Sequence, residues 1–256
     1  MPAAKIQLEK PIVPDCSYPH PPYRFVGRGI SLVYEIPFSR VKGAIPSHFD
    51  PDPGKGKIWF MVHFHDWQNF YPLSDPGFKH SFFESYYKFS VKYQSRLGDY
   101  PLKLYLTSDL GIASGIELYG YPKYPAEMRF ELKNQRGRFM IARDGVKELE
   151  VELEKGTGLL AKIATIFANA TAGSYLTRYT GNFLYQKEGN RARLTRGPTQ
   201  ITKIRYHLAK ATEVYLREPL EWEILTELEM LRPKYSFILT DIVADLAPPE
   251  TIFISE

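Results

Sequence analysis

The chain has 256 residues, with 33 Lys and Arg against 29 Asp and Glu, a formal charge of +4, and 44% hydrophobic residues. That balance argues against disorder and against a nucleic-acid groove, while leaving room for an anionic small molecule. The lone cysteine, Cys16, excludes an intramolecular disulfide framework. No run of about eighteen apolar residues could span a membrane as a helix. Met1 to Lys10 lacks the apolar stretch of a secretory signal, so the expected location is cytoplasmic.

In chain order, residues 1–22 carry Pro2, Pro11, Pro14, Pro19, Pro21 and Pro22. Proline fixes φ and removes amide donors, which predicts an extended arm ahead of a single domain over 23–256. Ile30 to Ile36 alternates as a strand, and Lys57 to His65 forms a second, aromatic-rich one after the turn Asp50-Pro51-Asp52-Pro53-Gly54-Lys55-Gly56. Ser81 to Tyr93 and Leu102 to Leu106 continue the strand pattern. Asp109 to Tyr119 reads as a short helix capped by Ser108 or Asp109, with Gly111 and Gly115 weakening it.

Met128, Phe130 and Leu132 alternate with Arg129, Glu131 and Lys133. Turns at Arg136-Gly137 and Asp144-Gly145 follow, and then Leu149, Val151 and Leu153 alternate with Glu148, Glu150, Glu152 and Glu154. This pattern is an antiparallel meander with one wet face, which the glutamates occupy. Leu159 to Ala168 suits a helix. Tyr175 to Arg178, Ile201 to Ala211 and Thr212 to Arg217 suit strands. Glu221 to Leu231 fits either, and Ser236 to Ala244 and Thr251 to Ser255 close the chain as strands. The expected fold class is mainly β (α+β), an antiparallel barrel or sheet with a few short helices.

His63 and His65 project from one face of a strand, a spacing that suits a divalent metal. A cupin-type metal site would add a nearby glutamate, where Gln68 and Asn69 stand, so the pair is read as strand-surface or core histidines and no metal is expected. Cys16 has no partner that the sequence identifies, and Gly54-Lys55-Gly56 lacks the spacing of a phosphate loop. Lys123 is enclosed by Tyr121-Pro122 and Tyr124-Pro125. Burial disfavours the charged form of an amine, and a neutral amine can attack a carbonyl to form an iminium, an electron sink. On spacing alone, a lysine extending its charge to water beside a turn remains the simpler alternative.

Around this lysine the sequence resembles the acetoacetate decarboxylase family. Gly115-Ile116-Glu117-Leu118 followed by Tyr121-Pro122-Lys123 is similar to that family's Schiff-base lysine motif. Pro22-Tyr23-Arg24-Phe25-Val26-Gly27-Arg28 resembles the stretch that ends in its active-site arginine. Gly98-Asp99-Tyr100 with Tyr105-Leu106, the spacing of Glu84 to Lys123, and the tail from Leu239 to Ile252 agree with it. The resemblance implies the acetoacetate decarboxylase-like fold and a Schiff-base carbon–carbon lyase, decarboxylase-like, acting on a small oxo acid. Within it Lys123 is the nucleophile, Glu84 the general acid and base, Arg28 the holder of the substrate carboxylate and Tyr121 part of the pocket wall. Glu117 is a structural acid. No metal or organic cofactor, no nucleic acid and no membrane partner is implied, and a homo-oligomer is.

Two departures stand out. Tyr124 replaces the family's second lysine, and Ile58-Trp59-Phe60-Met61-Val62 lacks the acid the family carries on its second strand. They predict a more apolar pocket with Glu84 as its main acid. They also keep a Schiff-base aldolase-dehydratase on pyruvate-like substrates in view. A non-catalytic β-barrel binder of small molecules is the reading from another class.

Overall fold

A computed structural model describes residues 15, 17–176, 179–188, 191–216 and 232–255. Most of the proline-rich arm, Cys16 and the segment Glu221 to Leu231 lie outside the described residues. The strands are β1 (Tyr23–Pro37), β2 (Asp50–Pro51), β3 (Pro53–Gly54), β4 (Lys57–Pro72), β5 (His80–Tyr93), β6 (Arg96–Leu106), β7 (Lys123–Pro125), β8 (Glu127–Lys133), β9 (Arg136–Arg143), β10 (Val146–Lys155), β11 (Tyr179–Glu188), β12 (Arg191–Gly197), β13 (Thr199–Leu216), β14 (Tyr235–Leu246) and β15 (Glu250–Ser255). The helices are α1 (Phe38–Val41), α2 (Asp109–Ser114) and α3 (Leu159–Leu176).

Among the described residues the strands form one sheet, in the order β15-β12-β11-β6-β5-β4-β1-β14-β13-β10-β9-β8, with β2 on β5, β3 on β4 and β7 on β6. Every pairing is antiparallel except β6 with β7 and β6 with β11. The sheet coils over itself: the rings of Phe64 on β4 and Phe139 on β9 stack 3.5 Å apart, although four strands separate them in the sheet. Period-two alternation explains the coil. On β4, Ile58, Phe60, Val62 and Phe64 enter a core shared with Ile30, Leu32, Phe139 and Val151. On its other face, Trp59, Met61, His63, His65 and Trp67 line a cavity. A second core joins Tyr23, Trp67, Leu104, Leu106 and Ile112, and fixes α2 to the sheet.

Several expectations are corrected. Tyr175 and Leu176, read as the start of a strand, are the last residues of α3, which runs eighteen residues rather than ten. Its sequence holds one charge, Lys162, so nothing in its composition stops the helix at Ala168. Ile201 to Ala211 and Thr212 to Arg217 are not two strands: β13 is continuous over Thr199–Leu216, with register shifts that absorb its irregular alternation. Strands β11 and β12 carry no clear alternation and went unread. The acidic row of β10 is not wholly wet, since Glu150 is buried between Arg138 and Lys147. No helix among the described residues is long and apolar enough to cross a membrane.

Candidate active site

The residues from Ser108 to Pro125 form one local machine. Ser108 caps α2, its Oγ accepting the Gly111 N–H at 3.0 Å and lying 2.7 Å from His80 Nε2. After α2 the chain makes one π-helical turn, Gly115–Tyr119, and ends it at Gly120 with φ +75°, a left-handed conformation that glycine adopts without strain. The chain then doubles back, and β7 pairs in parallel with the end of β6, Lys123 opposite Leu104. Lys123 is thereby aimed at the α2 helix and the cavity at once.

Lys123 is buried, and its Nζ donates to the Gly111 carbonyl at 2.9 Å. It sits 3.3 Å from Glu84 Oε1 and 5.5 Å from the centre of the Tyr121 ring. Glu84, on β5, is 1% exposed. The indole N–H of Trp67 donates to its Oε2 at 2.8 Å, while its Oε1 has no hydrogen-bond partner. That buried carboxylate oxygen faces the lysine as its ion-pair partner. Tyr86 also faces Glu84. Burial first, and then the charges of Glu84 and Tyr121 and a hydrogen bond with Glu84, hold its hydroxyl protonated well above the usual tyrosine range. The Tyr121 hydroxyl accepts from Asn182 Nδ2 at 2.9 Å, and burial pushes its pKa up as well.

The cavity beyond this pair has a volume of about 1190 Å³. Its wall on β4 is a column of rings, with Trp67 and His65 stacked at 4.5 Å and His65 and His63 at 5.8 Å. His63 Nε2 and His65 Nδ1 are out of solvent's reach and have no partner. Burial, reinforced by the Lys88 charge, lowers the His65 pKa to about 3 and takes His63 well below 6.5, so both rings are neutral near pH 7. The two imidazoles lie parallel in this stack, and no cluster of three or more His, Cys, Asp or Glu suited to a metal occurs among the described residues. Lys88 pairs with Asp99 at 2.6 Å on the same wall.

Of the residues singled out by sequence, Lys123, Glu84 and Tyr121 come together, and Arg28 does not join them. Arg28 shares a face of β1 with Ile30 and Leu32, pairs with Asp66 at 2.9 Å and lies 5.5 Å from the ring of Phe130. It is not among the residues lining the cavity. The physical reason is strand parity: Ser31 and Val33 of β1 line the cavity, and Arg28, in step with Ile30 and Leu32, is turned to the opposite face. The expectation of Glu84 as the main acid is also revised, because Asp99 brings a second buried carboxylate to the cavity wall. Tyr124 points away from Lys123 into the first core, beneath the Lys103 ammonium, 4.9 Å from its ring centre. Glu117 is exposed and accepts from the Tyr18 hydroxyl.

Trp67, Tyr86, Lys88, Asp99 and Asn182 were not assigned from the sequence. The available signal was the period of two running through Trp59, Met61, His63, His65 and Trp67, opposite to the core positions of the same strand.

A coiled β-sheet with a buried lysine and glutamate at one end of a large cavity defines a class of protein built to enclose a small-molecule reaction or ligand. The family model for acetoacetate decarboxylase (ADC) matches residues 10–241, and the chain belongs to that family. Solved structures agree on the fold. The acetoacetate decarboxylase of Legionella pneumophila subsp. pneumophila str. Philadelphia 1 superposes with a TM-score of 0.64 at 17% identity, over 99% of this chain and 93% of that one. The enzyme MppR of enduracididine biosynthesis, solved with pyruvate, gives 0.59 at 13% identity, over 91% of each chain. An acetoacetate decarboxylase-like enzyme from Sphingomonas wittichii RW1 gives 0.60 at 11% identity, over 90% of this chain and 92% of that one. No match is found among curated proteins.

Proposed function

We propose that the chain is an imine-forming carbon–carbon lyase acting on an oxo acid, with Lys123 as nucleophile and Glu84 as its proton carrier. The observation that carries this reading is the ion pair of two buried groups at the cavity wall, Glu84 Oε1 lying 3.3 Å from the Lys123 amine. Transfer of a proton from Lys123 to Glu84 leaves a lone pair that attacks the ketone carbon. Glu84 returns the proton to the new hydroxyl, which leaves as water, and an iminium remains. In a 3-oxo acid the bond to the carboxylate then breaks, its electron pair moves into the iminium, and CO2 departs. The resulting enamine takes a proton from solvent through Glu84. Addition of water to the imine releases the ketone and restores the lysine. No step calls on a metal or an organic cofactor.

A second reading, condensation followed by dehydration, is favoured by one observation: about 1190 Å³ leaves room for a second carbonyl compound beside the enamine. MppR, of like fold, has been solved with the condensation product of pyruvate and imidazole 4-carboxaldehyde. Borohydride reduction in the presence of a panel of oxo acids, read by peptide mass spectrometry, tests the common step. An adduct on Lys123 is expected. CO2 release then separates decarboxylation from condensation. An adduct on another lysine, or none with any acid, would leave a binding protein in place of a lyase.

A further inference from the structure

The cavity is much longer than a reaction at Lys123 requires. The registers of β4 with β5 and β1 give its length in steps: His65 lies opposite Glu84, His63 opposite Tyr86 and Ser31, and Met61 opposite Lys88 and Val33, with Trp59 two residues further on. From His65 to Trp59 is six residues of extended chain, roughly 20 Å. The near part holds Lys123, Asp99 and Asn182, and the lining further on also carries Ser90, Arg232 and Lys234, the last paired with Glu35 and lying over the Trp59 ring at 5.0 Å. Beyond Lys88, whose charge Asp99 offsets, the apolar part of the wall is Val33, Met61, Trp59, Phe237 and Tyr235. The Trp59 and Tyr235 rings, 6.2 Å apart, mark the far end.

We propose that the substrate is an oxo acid with an extended apolar body, its ketone at Lys123 and its tail running along β4 to the Trp59–Tyr235 end. This rests on the imine reading above and narrows its substrate class. An acid of acetoacetate's size fits beside Lys123 but leaves the apolar walls facing only water. A cavity of about 1190 Å³ exceeds the roughly 300–1,000 Å³ that holds drug-sized ligands. An apolar tail removes that surface from water, while the satisfied Lys88–Asp99 pair demands nothing of it.

The test is a length series of straight-chain 3-oxo acids, from acetoacetate to 3-oxooctadecanoate, assayed on the full chain for CO2 release and for the borohydride adduct. The apparent second-order rate constant should rise roughly fourfold per added methylene until the tail reaches Trp59. Val33→Trp, which narrows the passage beside Met61, should reverse the ratio of long to short acids, with a thermal melt confirming the fold. A series that is flat or falls with length, while Lys123 still forms adducts, overturns this proposal and leaves the imine reading standing. If no acid gives an adduct, quenching of tryptophan fluorescence by saturated fatty acids decides the matter. A length-dependent quench that Trp59→Phe removes retains the extended ligand and overturns the imine reading alone, and no quench overturns both.

Discussion

The Lys123 side chain lies directly against Gly115: a Cβ there would fall 2.4 Å from Lys123 Cδ and Cε and 2.7 Å from Nζ. The backbone at Gly115 is right-handed helical, with φ −69° and ψ −38°, so nothing but this contact demands glycine. In an unhindered helix Gly→Ala would stabilise by about 1 kcal/mol. Here Gly115→Ala must displace a buried side chain, and the expected result is a fall in melting temperature with turnover reduced on the order of a hundredfold, the cost of moving a nucleophile by about 1 Å. The rate of borohydride trapping, set beside a thermal melt, reads both effects. Unchanged trapping would mean that the amine works from another position.

Glu84→Gln isolates proton transfer from packing. The amide oxygen can still accept from Trp67 Nε1, now 2.8 Å from Glu84 Oε2, so the indole stays satisfied. The amide has no proton to carry, and a loss of roughly 10²- to 10⁴-fold in turnover is expected, with binding of an unreactive acid retained. Lys123→Arg should remove the adduct altogether, because a guanidinium stays protonated. Parallel turnover and calorimetric titration on the two variants would separate chemistry from binding. Near-normal turnover in Glu84→Gln would assign the proton to another group.

Most of the sheet could be read from the chain because its strands alternate cleanly. β5 and the β8–β10 meander show it in Phe82, Met128, Phe130, Phe139, Leu149 and Val151, each buried at the expected period. Of the candidate site residues, Lys123, Glu84 and Tyr121 lie together in the structure. Arg28 does not join them, because the alternation of β1 turns it to the face of Ile30 and Leu32, away from Ser31 and Val33 in the cavity wall. Asp99 and Asn182 were missed because they meet only through the parallel pairing of β11 with β6, 83 residues apart in sequence. A long-range parallel pairing leaves no local periodic trace. β11 and β12 were missed for a related reason: of the side chains described there, Phe183, Leu184 and Leu194 are the buried large apolar ones, too few to set a pattern.

Arg28 should therefore behave as a structural residue. Its guanidinium is bonded to Asp66, and the side chains are 35% and 15% exposed, so solvent screens the pair and limits its worth to about 1 kcal/mol. Arg28→Ala is expected to lower stability by no more than that, plus what it loses in contact with Phe130. Carboxylate substrates and matched neutral ketones should be affected alike. Competition binding of an acid and its neutral analogue to the variant checks this. A loss of roughly one to two decades confined to the acid would restore a carboxylate-holding role.

His63 and His65 make stability depend on pH in a definite direction. In the unfolded chain a histidine binds its proton near 6.5, whereas in the fold burial and the Lys88 charge lower His65 to about 3 and His63 well below 6.5. Between those values the unfolded state holds more protons than the native one. Stability is therefore complete above pH 6.5 and falls as the pH drops toward the folded-state values, by up to roughly 1.4 kcal/mol per pH unit for each ring. Burial also lowers His48 and His207, which add to the same slope, so the two cavity histidines must be separated by substitution. The carboxylates Glu35 and Glu150 are lowered from 4.5 by their lysine and arginine partners, and their contribution is lost only below that pH. Urea unfolding between pH 4.5 and 6.5 thus isolates the histidines. His65→Phe, which keeps a ring on Trp67, should flatten the slope by as much as one proton's worth. A slope identical to that of the unsubstituted chain would mean that water in the cavity already lets His65 titrate normally.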